Sequence, residues 1–382
     1  MTWTASRLVD LVEAKPGFAC GDDVEHGVFQ FRMNNVTTEG ALDLARRRRV
    51  PSNSRKLHDF LLQPGDVLFN ATNSPELVGK SAFFSGLDEP ATFSNHFLRL
   101  RSMGPIDGRY LARWLTWQQQ RTTFMGLCRQ WVNQASVSRE ALLSLTIPLP
   151  PIPEQRRIAA ILDQADELRA KRRVALAGLD NLTKSIFLDM CGDPFAPETD
   201  TQHLDEVAEV HMGQSPPGAT YNNTGAGLAL LNGPSEFGRR HPVAVQWTTA
   251  PTRRCTNGDV LVCVRGATAG RLNIADDEYC LGRGVAAIRP RLESGLNTEY
   301  LYAVLSRYYH YFQAKGVGST FININRTELE QLPIPKVERR VAALFAQRIA
   351  EVEHLTGVHR ASRVEMDTLF ASIQHRAFRN EL

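Results

Sequence analysis

The sequence predicts an α/β protein built twice over: a globular unit, a long helix, a second globular unit on the same plan and a second long helix. Three observations predict it. A proline ladder, Pro148, Pro150, Pro151 and Pro153, opens an uninterrupted helical stretch that runs to Cys191, ahead of Gly192 and Pro194. A second ladder, Leu332-Pro333-Ile334-Pro335, leads through Glu338-Arg339-Arg340 into another long proline-free stretch. The motifs between them recur in the same order at a slowly shrinking spacing, from 204 − 8 = 196 at the start of each unit to 339 − 156 = 183 at the helix starts.

The first long helix follows from its punctuation. Pro153 suits the first helical position, where the missing N–H is an orphan anyway, and Glu154 meets the positive end of the helix dipole. Alternating steps of three and four give Ile158, Ile161, Ala165, Leu168, Arg172, Ala175, Leu179, Leu182 and Ile186, all apolar but Arg172. At ~1.5 Å per residue such a helix spans roughly 50 Å, and so narrow a stripe on so long a rod needs a partner. The partner is the C-terminal stretch. Its seam reads Val341, Phe345, Arg348, Val352, Leu355, His359, Ser362, Met366, Leu369 and Ile373, interrupted at Arg348, His359 and Ser362. Antiparallel pairing of the two would form a coiled coil and relate the globular units by a pseudo-twofold axis.

The globular units are delimited as 1–150 and 193–335, with the helices at 151–192 and 336–382. Leu8 to Val12 opens the first and is matched by His203 to Ala208. Pro64-Gly65-Asp66 supplies a turn and Val67-Leu68-Phe69 a buried strand after it, matched by Asn257-Gly258-Asp259-Val260-Leu261-Val262. The helical stretch from Tyr110 matches that from Tyr300, and Val137 to Leu142 matches Ile324 to Leu329. Trp114 and Trp117, on that first helical stretch, are expected in the core.

Composition narrows the function class. Hydrophobic residues make up 43% of the 382, enough for real cores, while the net charge of +3 does not by itself argue for nucleic acid. No apolar run approaches the ~18 residues of a membrane span, and the opening MTWTASRLVD has no signal-peptide core, so a cytoplasmic protein with no membrane partner is expected. The six cysteines are scattered without a C-x-x-C pair, which fits free thiols and no bound metal. Gly282-Arg283-Gly284-Val285-Ala286-Ala287 fits G-x-G-x-x-A formally, but it runs into a strand-like Ala286-Ala287-Ile288 instead of opening a helix. Ser74 to Lys80 lacks the first glycine of a phosphate-binding loop. There is no H-E-x-x-H pattern and no evident Ser/His/Asp set. No cofactor and no catalytic residue are expected. Two similar surfaces at fixed separation suit a roughly dyad-symmetric partner, and duplex DNA is one.

These residues resemble a known family. The paired ladders with EQRR-type helix starts, Gly65-Asp66-Val67-Leu68 and Gly258-Asp259-Val260-Leu261, and the duplicated globules look like the specificity subunit of type I restriction–modification systems. Met212 to Gly218, Val264 to Thr268 and Gly282 to Pro290 are similar to one common type of its target recognition domain. The resemblance covers essentially the whole chain. It implies two α/β target recognition domains, each reading half of a bipartite, gapped site in double-stranded DNA. It implies long helices that act as spacer and dock methyltransferase (M) subunits, with endonuclease/translocase (R) subunits joining. The chain itself would be non-catalytic within an adenine-specific methyltransferase and ATP-dependent endonuclease, and it lacks the Asn-Pro-Pro-aromatic or Asp-Pro-Pro-aromatic tetrapeptide of such methyltransferases. The rival readings are a coiled-coil adaptor without DNA specificity and an enzyme in its own right.

Phosphate contacts call for mobile cations, and base reading calls for Arg, Asn or Gln forks at groove edges. The densest basic cluster is Arg46, Arg47, Arg48 and Arg49, followed by Arg55 and Lys56. Asn73, Lys80 and Ser81 follow the first G-D-V-L strand, and Arg265 and Arg271 follow the second. Arg239, Arg240 and Arg283 belong to loops of the second unit, and Ser319 and Asn323 to the polar loop before the second ladder.

Overall fold

Gly65 and Gly258, at φ +103° and +89°, each turn the chain into a strand whose residues are all buried. The computed structural model describes residues 3–53, 57–131, 134–315 and 322–382. They fall into two units, Met1–Arg172 with Ser362–Leu382, and Arg173–Ala361.

The first unit contains β1 (Val12–Pro16), β2 (Val28–Phe31), β3 (Val67–Asn70), β4 (Thr72–Asn73), β5 (Ser81–Phe83), β6 (Ala91–Phe93), β7 (Phe97–Ser102), α1 (Gly108–Gln120), β8 (Gln134–Ser136) and the start of the long α2 (Ile152–Cys191). An antiparallel sheet runs in the order β1-β7-β3-β5, with Val12 opposite Ser102 and Val67 opposite Leu100. Alternation along β3 sends Val67 and Phe69 to a core under α1, with Tyr110, Trp114 and Leu115, and Leu68 to a second core of Phe29, Phe31, Phe84 and Phe93. Both tryptophans, Trp114 and Trp117, are buried as expected. β2 and β6 pair in parallel, Phe31 opposite Phe93.

The second unit repeats this with β9 (Ala208–Met212), β10 (Leu228–Leu231), β11 (Val260–Cys263), β12 (Leu272–Ile274), β13 (Tyr279–Leu281), β14 (Val285–Pro290) and α3 (Thr298–Arg307), and takes the start of the long α4 (Arg339–Ala377). The sheet order is β9-β14-β11-β12, and β10 pairs in parallel with β13, Leu231 opposite Leu281. Val260 and Val262 enter the core under α3, while Leu261 and Cys263 enter the second core.

Specific bonds explain why the short motifs recur. The aspartate of each G-D-V-L run is buried and gripped by an arginine 35 or 30 residues further along the chain: Arg101 Nε and Nη2 donate to Asp66 at 2.7 and 2.8 Å, and Arg289 Nε and Nη2 donate to Asp259 at 2.8 and 2.8 Å. The same carboxylates accept the backbone N–H of Gln63 and Thr256. Tyr110 Oη donates to the Pro148 carbonyl and Tyr300 Oη to that of Pro335, so each ladder is clasped by its unit's helix. Each ladder also pairs as a short strand, Thr146–Leu149 with Thr4–Arg7 and Pro333–Pro335 with Thr201–His203. Two-stranded edges tolerate the missing proline donors.

In the first unit the opening turns of α2 meet the last turns of α4. Arg169 Nε donates to Asp367 at 2.6 Å and its guanidinium stacks on Phe370, beside a core holding Ile158, Leu162 and Phe378. In the second unit the last turns of α2 meet the first of α4, where the rings of Phe187 and Phe345 lie 5.8 Å apart. That order is antiparallel, but the seam differs from the expected one. Leu162 and Leu176 are buried, whereas Leu168 and Leu182 are 50% and 45% exposed. On α4, Ala342, Ile349, Thr356 and Phe370 are buried in place of Val341, Arg348, Leu355 and Leu369. Half of each expected heptad set is shifted by one residue. A pattern of alternating threes and fours has two phases, and apolar residues fall on both here.

Candidate nucleic-acid interface

Because neighbouring strands are antiparallel, the ends of β1 and β3 lie beside the starts of β7 and β5, and the same holds for β9, β11, β14 and β12. At this one end of each sheet the polar loops gather. In the first unit the Ala71 N–H donates to the His96 carbonyl, Val137 N–H donates to Ala71, and Thr72 pairs with Ser136 across β4 and β8, their hydroxyls 3.2 Å apart. In the second the Val264 N–H donates to Gly284, Ile324 N–H donates to Val264, and Arg265 bridges Asn323. Arg265 and Asn323, far apart in sequence, are thus brought together, both exposed, at the position Thr72 and Ser136 hold in the first unit.

Exposed Arg271 and Arg283 share this end of the second unit. Arg271 donates to the Phe237 carbonyl at 3.1 Å, and the Arg283 backbone N–H donates to Ser215 Oγ at 3.4 Å. The glycines around Arg283 are spaced for packing and not for a dinucleotide: a Cβ on Gly282 would lie 2.3 Å from Asn232 Oδ1, and one on Gly284 2.2 Å from the Asn232 carbonyl. Asn73, at the same end of the first unit, donates to Asn70 Oδ1 and accepts the Ser74 N–H.

Other candidates are spent inside the fold. Lys80 is buried and donates to the carbonyls of Met33 and Val36, and burial holds its ammonium pKa below the usual range. Ser81 is buried and donates to Gly79. Of the arginine run, Arg47 and Arg49 pair with Glu89, Arg48 donates to the carbonyls of Cys20 and Asp22, and Arg49 donates to Gly27. Arg46 is exposed, and among the described residues only its carbonyl is used, by Asn35. Arg239 pairs with Asp180 and Glu353, and Arg240 with Glu299 and Glu353, which ties their loop to α2, α3 and α4 within the second unit. Arg55, Lys56 and Ser319 lie outside the described residues.

A family model for the type I restriction modification DNA specificity domain matches residues 2–176 and again 198–338. The chain belongs to that family. It is a DNA sequence-recognition subunit of a type I restriction–modification system. Over 96% of its length it is 27% identical to a protein described as the type I restriction enzyme MjaX specificity subunit of Methanocaldococcus jannaschii, of which it covers 90%. A 161-residue stretch is 27% identical to the EcoKI specificity subunit of Escherichia coli, covering 41% of this chain and 34% of that one. Among solved structures, a chain from work on complex assembly and conformational transition of the type I R-M system aligns with a TM-score of 0.62 and 25% identity, covering 100% of this chain and 98% of that one. The S subunit from M. genitalium shares the fold at a TM-score of 0.61 and 13% identity, over 99% and 96% of the two chains. No helix among the described residues is long and apolar enough to cross a membrane.

For a DNA specificity subunit, the sheet end also holds residues that the sequence did not single out. Asn95 is exposed between β6 and β7, and His96 beside it is half-buried. Burial, and then the neighbouring Arg32 guanidinium, holds the His96 imidazole below its ordinary pKa. Asn232 Nδ2 donates to Gln246 Oε1 at 2.9 Å next to Arg283. A signal existed for the frame, since each buried aspartate of a G-D-V-L run demands a cation. None existed for Asn95, because Phe93-Ser94-Asn95-His96-Phe97 shares no letters with Leu281-Gly282-Arg283-Gly284-Val285.

Proposed function

We propose that each globular unit reads one half of a bipartite, gapped site in double-stranded DNA, through the loops at the described end of its four-stranded sheet. The observation that carries this is the duplication itself: one frame, clasped by the same Asp–Arg and Tyr–proline bonds, bearing different polar residues at matched positions. The domain division that goes with it is 1–150 and 193–335 for the two readers, with 151–192 and 336–382 as the spacer helices. Arg265, Arg271, Arg283, Asn323 and Asn73 are the proposed contacts from the sheet ends, and exposed Arg46 is a phosphate contact. The helices set the number of unread bases and dock methyltransferase subunits, and endonuclease/translocase subunits join that complex in the cytoplasm. Recognition, and not bond chemistry, is this chain's share.

The test is co-expression with the methyltransferase subunit of its system, followed by genome-wide mapping of methylated adenines. A single gapped, two-part motif that vanishes when this chain is omitted is the expected result. A stable complex that methylates without sequence preference would overturn the proposal in favour of a plain adaptor.

A further inference from the structure

We infer that the turn between β6 and β7 in the first unit, and between β13 and β14 in the second, is the base-reading finger of each domain, with Asn95 and Arg283 as its specificity-determining side chains. This rests on the DNA-reading proposal above and names the residues that execute it. The two turns are one structure. Ser94 N–H donates to Phe31 at 3.0 Å and Gly282 N–H to Leu231 at 2.8 Å; Phe97 N–H donates to Ser94 at 3.0 Å and Val285 N–H to Gly282 at 3.1 Å. Ala71 N–H donates to His96 and Val264 N–H to Gly284, both at 2.9 Å, while Gly17 N–H donates to Phe97 and Gly213 N–H to Val285, both at 3.0 Å. A Cβ on Gly17 would lie 2.2 Å from the Ser94 carbonyl, and one on Gly213 2.2 Å from that of Gly282, so in each unit a glycine strand end presses on the turn. Superposing these bonds puts Asn95 and Arg283 at the same first central position of a four-residue turn.

Both side chains are exposed, and among the described residues neither has a hydrogen-bond or ion-pair partner, in contrast to Arg47, Arg48, Arg239 and Arg240. A rigid backbone carrying an uncommitted fork is what groove reading requires, because little freedom is lost on binding. Asparagine presents one donor and one acceptor that match the adenine edge, and arginine presents paired donors that match the guanine edge. Equivalent positions in the two domains thus carry the forks for two different bases.

The experiment compares methylation motifs directed by the wild-type chain, Asn95→Ala and Arg283→Ala, each co-expressed with the methyltransferase subunit. The expected result is that discrimination at one base position falls by roughly 10- to 100-fold, in one half-site for Asn95→Ala and in the other for Arg283→Ala. Arg283→Gln should in addition move that position from guanine towards adenine. Should an alanine variant give no methylation at all, Arg283→Gln and Asn95→Gln decide: a shifted or relaxed preference at one position supports the finger, and an unchanged motif overturns it. A loss spread evenly over all sequences would make these residues phosphate contacts and also overturn it. A wild-type chain that directs no gapped motif sinks the DNA-reading proposal, whereas a wild-type motif untouched by every variant sinks this inference alone.

Discussion

At the tip of its sheet the first unit carries Asn95-His96 where the second carries Arg283-Gly284, yet matching backbone hydrogen bonds hold both tips. Below the tips the units barely differ: Asp66 with Arg101 and Asp259 with Arg289 are gripped in the same bidentate geometry. The contrast separates what builds the domain from what the domain is for. The frame carboxylates are buried, paired and repeated, whereas the tip side chains of Asn95 and Arg283 are exposed and differ.

Arg101→Ala and Arg289→Ala each leave a carboxylate that is almost wholly buried without its cation, so each should cost ~3–5 kcal/mol of stability, by similar amounts, in denaturant unfolding. Markedly unequal losses would show that the two frames are not equivalent. The tips should respond unequally. Gly284→Ala forces a methyl against the Asn232 carbonyl and should destabilise by ~1–3 kcal/mol, whereas His96→Ala at the matched position adds no atom and should cost less than about 1 kcal/mol.

Within the arginine run, Arg46→Ala should flatten the salt dependence of DNA binding by about one phosphate contact and leave stability unchanged. Arg48→Ala should leave the slope alone and lower stability by ~1 kcal/mol, because it removes bonds to two carbonyls. The smallest effect is a pH dependence carried by His96 in the first unit. The His96 pKa is lowered by folding, so the unfolded chain takes up a proton near its ordinary value of 6.5 before the folded chain does. Stability is therefore unaffected well above that value and falls as pH drops through it. The unfolding midpoint of the wild type should decrease more between pH 7.5 and 5.5 than that of His96→Asn, and equal decreases would count against this assignment.

Much of the frame was legible in the sequence because its signals are local: a proline ladder, a Gly-Asp turn and a Tyr-Leu helix start keep their spelling when duplicated. The phase of the long helices was not, because Ile161 and Leu162, or Leu355 and Thr356, offer the same spacing and only a partner chooses between them. The arginine run looked free in sequence because Glu89, which neutralises Arg47 and Arg49, lies some forty residues on. Lys80 looked available because nothing near it announces that Met33 and Val36 present their carbonyls to it. The pairing of Arg265 with Asn323 and the matching of Asn95 to Arg283 are made by backbone bonds, which leave no letters behind.

The tips are held mainly by main-chain donors and acceptors, so the exposed side chains at positions 95 and 283 should contribute little to the energetics of folding. Such positions can drift through the amino-acid alphabet without purifying selection for stability acting on them. An exhaustive substitution scan scored for folding alone should therefore show deep intolerance at Asp66, Arg101, Asp259 and Arg289, and two narrow plateaus of indifference at Asn95 and Arg283.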